Sequence, residues 1–456
     1  MRKIRSFPLV LLLLFMPITS LLPQEHMHHM GKDSTMQMGK DTVMHMDHEM
    51  NMGMHEMGSM KKDSEPFQTG SGTSWLPKSS PMYGYMTNPA DWMLMFHGNI
   101  FFRYNSQDIT KKGSRGASKF DAPDWFMLMA EKGLNEKNKI KLSLMMSLDP
   151  LLVGGSGYPL LFQSGETFEG KPLVDRQHPH DLFSELSAEY TFSFSRNLAL
   201  NAYLGYPGEP AIGPVAFMHR PSAQNNPDSP IGHHWQDATH ITFGVATLGL
   251  RFYNLKIEGS SFTGREPNEN RYNFDKPRFD SYSGRLSLNP TDEFSFQTSY
   301  AFIKSPESLH PEENIHRTTA SVLHSMKLSE GQFINSAVIW GYNYLGSEDK
   351  EHSLAVESDL DFMRFAIYGR YEWIQKSAEE LNLHEFEPAR IFPINAITLG
   401  ANYRLFEFRG SSLRLGLQGS LFTTVSALEY LYGENPFSVE VYFRISPGLM
   451  RMKMMR

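Results

Sequence analysis

The chain contains no cysteine. Disulfides, thiolate metal ligands, cysteine nucleophiles and a lipid-modified N-terminal cysteine are thereby excluded. Any metal must be held by methionine, histidine or carboxylate. Long apolar runs are scarce too: past the first residues none reaches the length of a membrane-spanning helix. Charge is nearly balanced, −7 over 456 residues with no basic patch, which argues against a nucleic-acid partner. The one apolar run, Leu9 to Phe15, follows Arg2, Lys3 and Arg5 and stops at Pro17. That is the layout of a secretory signal peptide, placed at residues 1–24.

What is abundant is methionine and histidine. In the stretch 25–62, Met27, Met30, Met36, Met38, Met44, Met46, Met50, Met52, Met54, Met57 and Met60 are interleaved with His26, His28, His29, His45, His48 and His55. Thioether and imidazole are the ligands that favour copper, as Cu(I) or Cu(II), and by softness silver. The stretch has no apolar periodicity with which to bury a core, so it reads as a disordered metal-binding arm. A solvating low-complexity tail is the plainer reading of the same composition.

Residues 63–91 read as a linker broken by Pro66, Pro77, Pro81 and Pro89. From residue 92 to 445 the pattern is alternation. Phe294, Phe296, Tyr300 and Phe302 oppose Ser295, Gln297 and Ser299. Leu413, Leu415, Leu417 and Leu421 oppose Ser412, Arg414, Gln418 and Ser420. Phe437, Val439, Val441, Phe443 and Ile445 oppose Glu440, Tyr442 and Arg444. Such segments predict an all-β fold, a transmembrane antiparallel β-barrel of about 16 strands, range 14–18, with charges facing a wet lumen. The strands are predicted near 92–105, 122–133, 138–149, 181–195, 198–206, 240–252, 254–263, 279–290, 293–304, 316–327, 332–343, 351–361, 364–375, 394–405, 411–421 and 436–445. Long loops follow odd strands and short turns follow even ones, the rhythm of an outer-membrane barrel. An even count puts both ends, and hence the arm, in the periplasm. Outer-membrane lipid, soft metal ions and periplasmic metal-resistance proteins are the partners implied; the oligomeric state is not. Residues 446–456 form a tail with Met450, Met452, Met454 and Met455.

Two long loops carry a second concentration of ligands. Residues 150–181 hold His178, His180 and Asp181. Residues 207–240 hold Met218, His219, His233, His234 and Asp237, with His240 opening the next strand. The 207–239 loop occupies the place of the loop that folds into the lumen of sixteen-stranded porins. Imidazole with carboxylate suits Cu(II) or Zn(II) at such a constriction. The competing reading is a polar network in which Arg176 and Arg220 pair with Asp175, Asp181, Glu209 or Asp237. The stretch Gly264 to Arg271 reads as a salt-bridge cluster on the outer rim. No nucleophile motif surrounds Ser184, Ser222 or Ser229, so an enzyme, such as a lipid hydrolase, is not expected.

The Met-x-Met and Met-His steps, such as Met44-His45-Met46-Asp47-His48, and the layout of signal, arm and barrel resemble the copper resistance protein B family of outer-membrane proteins. That resemblance implies copper tolerance, by sequestration or by export. The barrel motifs Asp175–Asp181, Met218–Pro221 and Gly232–Asp237 resemble instead a less characterised set of barrels that accompany metal-resistance genes. Two functional readings follow. One is a channel, porin-like, whose arm collects copper. The other is a plugged, non-conducting barrel that anchors a metal-sequestering arm.

Overall fold

The structure is a computed structural model; it describes residues 67–346 and 349–450. The predicted signal peptide, the expected Met/His arm with all its predicted ligands, and residues 451–456 lie outside the described residues.

Sixteen long strands close into an antiparallel barrel. They are β1 (Met93–Ser106), β2 (Asp124–Gly133), β3 (Asn138–Met146), β4 (Phe183–Ser195), β5 (Leu198–Gly205), β6 (Val245–Phe252), β7 (Leu255–Phe262), β8 (Ser281–Thr291), β9 (Phe294–Lys304), β10 (Asn314–Ser329), β11 (Gln332–Gly346), β12 (Asp349–Phe362), β13 (Phe365–Ser377), β14 (Ile391–Phe408), β15 (Ser411–Thr423) and β16 (Phe437–Pro447). Closure is by β16 on β1, from Val439 opposite Ser106 to Ile445 opposite Ile100. Two short strands, 85–87 and 118–121, extend the pairing along β1. Each of the sixteen long strands overlaps one of the predicted segments, with ends differing by up to five residues. The even-numbered strands end in tight turns such as 196–197 and 253–254, and the odd ones lead into longer loops, except that β11 passes to β12 across only 347–348.

Alternation does what the sequence requires of it. Leu248, Ile257, Leu399 and Leu417 point outward and are more than half exposed. That apolar band is explained by lipid, because burying it against water-facing charges is impossible on this side of the sheet. Arg370, Glu372, Arg414, Glu440 and Arg444 point inward. The result is a porin-like barrel of the outer-membrane type. His316, His324 and His352 sit on the outer face among Tyr300, Phe302, Phe294, Trp340 and Tyr342, within its aromatic belt.

The lumen is filled. In a water-filled pore, inward side chains would be wet; here Arg103, Glu258, Arg285, Arg317, Glu357, Arg370, Arg414 and Glu440, spread around the wall, are each no more than 5% exposed. Three insertions cover them. Residues 67–82, expected as a linker, enter at the short-turn end. A small hairpin, 68–69 with 75–76, buries Trp75 and Leu76, and Ser79 donates to the Asp292 and Ser325 carbonyls. The composition hid this: prolines broke the pattern, while Trp75 and Leu76 are two apolar residues in a polar stretch. Residues 206–244 cross the middle. Their polar groups reach Ser260 and Ser299 on one side and Glu357, Asp359, Arg370 and Gln418 on the other. From the long-loop end comes a hairpin of strands 158–168 and 171–177. The layers touch: Ala216 N donates to Ser71 Oγ at 2.9 Å, and Ser229 Oγ donates to Gln177 Oε1 at 2.5 Å. What space remains at the short-turn end includes a cavity of about 50 Å³ beside Trp75, Lys141 and Lys256, room for a few waters at most.

Candidate metal centre in the filled lumen

The predicted loop histidines come together where the middle layer meets the hairpin. A single helical turn, His233–Gln236, starts the arrangement. Residues 233 and 237 lie one turn apart, so His233 Nδ1 donates to Asp237 Oδ1 at 2.6 Å. The turn lies hard against the wall: a Cβ on Gly341 of β11 would sit 2.2 Å from the Trp235 carbonyl oxygen. His240 Nδ1 donates to the Asp237 carbonyl at 2.8 Å. His180 pairs Nδ1 with Asp149 Oδ2 at 2.8 Å, and its backbone N donates to the same oxygen at 3.1 Å. His234 Nδ1 lies 3.3 Å from Glu266 Oε1. His178 Nε2 lies 3.2 Å from Glu166 Oε1. The hairpin reaches His234 only because Gly165 has φ +103°; a Cβ there would meet the imidazole at 2.3 Å.

These partners set the tautomers. A carbonyl or an ionised carboxylate only accepts, so Nδ1 carries the hydrogen in His180, His233, His234 and His240. Their Nε2 atoms are then lone-pair donors, and all four are buried with no hydrogen-bond partner. Carboxylate or carbonyl on one ring nitrogen and a free second nitrogen is the outer-shell pattern of metal-bound histidine. Burial holds the His178 and His233 imidazoles below their usual range, in His233 against the pull of Asp237, and brings His240 to about 3. Neutral rings are the form that ligates. For Asp237 burial works upward, but Arg220 and His233 bring the carboxyl below its ordinary value. Glu166 is pushed up by burial to about 7 despite Arg271.

The rings form a string that ends in a triangle, because His233 and His234 also stand 5.4 Å apart. Centroids are 5.4 Å apart for His234–His178, 6.0 Å for His178–His233, 5.1 Å for His233–His240 and 5.6 Å for His240–His180. An ion holding imidazole nitrogens at roughly 2.0 Å sets two ring centroids about 5 to 6 Å apart. Adjacent pairs therefore have the spacing of two-ligand sites. No three of these nitrogens gather on one point: among the described residues the only trio of histidine and carboxylate ligand atoms within 4.8 Å of one another is His310, Glu313 and Glu379, at the long-loop rim. The donor set fits an ion bound between pairs of imidazoles.

The remaining predicted positions separate. Asp181 faces Arg271 at 3.3 Å, not a histidine. His219 lies against Trp125, with ring centroids 4.5 Å apart, and Met218 packs against methionines of the wall. The polar network is present as well. Arg220 is fully buried, 2.6 Å from Asp237 and 2.7 Å from Glu357, whereas Arg176 caps the Ser156 carbonyl and Asp175 pairs with Arg115. Network and histidines share Asp237, so the two readings are one structure. The Gly264–Arg271 stretch, expected as an outer rim, reaches inward through Glu266 and Arg271. Asp149, Glu166 and Glu266 were missed as members because no fixed spacing links them to the histidines, and His240 was read only as the opening of the next strand. Ser184, Ser222 and Ser229 donate to the Asp181 carbonyl, Glu357 and Gln177.

No protein-family model and no curated protein matches the chain. Solved structures similar to it include OmpF of Salmonella typhi in complex with daunomycin, 10% identical with TM-score 0.49, covering 79% of this chain and 100% of that one. An anion-selective porin from Comamonas acidovorans is 11% identical, TM-score 0.44, covering 78% and 99%. The outer membrane channel DcaP of Acinetobacter baumannii is 8% identical, TM-score 0.41, covering 80% and 100%.

Proposed function

We propose that the chain handles copper or silver at the outer membrane: a Met/His arm on the periplasmic side captures soft ions, and a closed barrel holds them on histidines within its lumen. The observation that carries this reading is the set of four buried, unpartnered Nε2 atoms, each opposite an Nδ1 anchored by carboxylate or carbonyl. Leaving such atoms unpaired costs roughly 1–3 kcal/mol each. A hydrogen-bonded plug has no use for four of them side by side, whereas a cargo ion would satisfy them. His233, His240, His180, His178 and His234 would hold it, two at a time; Asp237, Asp149 and Glu266 keep the rings aimed.

The filled lumen favours the non-conducting anchor over the open channel, because solutes have no wet path past Arg220 and its neighbours. The described chain begins at the short-turn end of the barrel, which supports a periplasmic arm. Copper titration against a chromophoric chelator, with and without residues 25–62, tests the reading. Binding that falls on deletion but persists in the barrel supports both halves. A deleted protein that binds nothing removes the lumen site, and a full chain that binds nothing removes metal handling.

A further inference from the structure

The inner wall of β1, β2 and β3 departs from the rest of the barrel. Inward positions elsewhere are mostly serine, threonine, asparagine or charged residues, as a lumen wall requires. Here His97 of β1 stands opposite Met127 of β2, and Met127 stands opposite Met145 of β3; one step along, Met95 faces Met129. These side chains point away from lipid, so the membrane does not account for them. Met127, Met129 and Met145 are buried and pack with Met218 from the middle layer, which closes the group from inside the barrel. Two imidazoles border it. His97 and His219 have ring centroids 5.7 Å apart, and the buried His97 Nε2 has no partner. Trp125 lies beside both rings.

We propose that this wall is a second metal site, formed by Met127, Met145 and Met218 with His97 and His219, and selective for monovalent Cu(I) or Ag(I). The proposal rests on the metal-handling reading but uses none of the string's ligands. Thioethers are soft donors, and soft ions are the ones they hold. One carboxylate borders the group: Glu185 of β4 stands opposite Met145 and accepts from Ser187 and Tyr203. With a single carboxylate at its edge, a dry site balances a monovalent ion better than a divalent one. The Trp125 ring face adds attraction for a cation. Methionine used only as filler would be replaceable by leucine without consequence.

The test is X-ray diffraction from the full chain soaked in Ag(I), with anomalous differences locating silver, beside the volume-conserving double variant Met127→Leu and Met145→Leu. Heat-modifiable migration on gels checks that the variant barrel is folded. The proposal expects silver among Met127, Met145 and Met218 in the parent protein and none there in the variant, with Ag(I) affinity at this site reduced at least a hundredfold. Silver confined to the His178–His240 string overturns this site and leaves the proposed function standing. Silver on the wall unchanged by the leucines overturns the assigned ligands. Absence of both silver and copper from the whole barrel overturns this site and the lumen half of the proposed function together.

Discussion

Arg220 is the pin that should keep the lumen shut. Its guanidinium joins Asp237 of the middle layer, Glu357 of β12 and the Val215 carbonyl, with no solvent contact. Replacing it with methionine keeps most of the volume but strands two carboxylates. Removing one partner of a buried ion pair costs about 3–5 kcal/mol. Glu357 keeps Arg370 at 3.0 Å and Asp237 keeps His233 at 2.6 Å, so the lower end, roughly 3 kcal/mol, applies. That raises the population with the 206–244 layer displaced by about a hundredfold. In planar bilayers the parent protein should pass little current, and Arg220→Met should show frequent openings. Adding Glu357→Gln should not close it again, because the buried Arg370 then loses its carboxylate partner. Equal conductance in parent and Arg220→Met, with both folded, would refute the reasoning that this contact holds the layer in place.

Other outcomes follow from the same contacts. Asp237→Asn should weaken copper binding about 10- to 100-fold, since the residue that orients His233 loses its charge; chelator competition reads this directly. Gly165→Ala should displace the His234 ring and strain a backbone at φ +103°, costing about 1–3 kcal/mol in unfolding and lowering metal affinity. Glu209, packed against Gly72 of the N-terminal insertion, gives a pH signature. Burial raises its carboxyl from 4.5 to about 8, against the opposing pull of Arg285. The folded chain holds a proton on Glu209 that the unfolded chain has lost over that range, so this group's contribution to stability falls as pH rises from about 4.5 to about 8 and is level outside it. Glu209→Gln should make the slope shallower in urea unfolding series and the protein more stable than the parent at pH 8, with little difference at pH 4.

The barrel was legible because its physics is local. Lipid on one side of a strand and polar lumen on the other impose a period of two, and segments such as 437–445 carry it plainly. Loop lengths then gave the rhythm of ends. Filling of the lumen was only half legible. Length and place marked 206–244 as inward-folding, but nothing in residues 67–82 signalled an insertion, because a polar segment lying in a polar lumen needs no periodicity. The site was readable as ligand types and not as partners. His178, His180, His233 and His234 stood out by density, while Asp149, Glu166 and Glu266 became visible only once three separate loops were stacked. His97, Met127 and Met145 were hidden for a further reason: each sits in an ordinary alternating strand, and only the register across three strands puts them in one row.

The most direct test is electron paramagnetic resonance of one Cu(II) equivalent bound to the barrel lacking residues 25–62, compared with the variant His178→Gln, His233→Gln, His240→Gln. The account predicts nitrogen hyperfine structure from imidazole ligands in the parent barrel and its loss in the variant. Copper bound with the same nitrogen pattern in both, or no copper bound by the parent barrel, would contradict a metal centre on the lumen histidines.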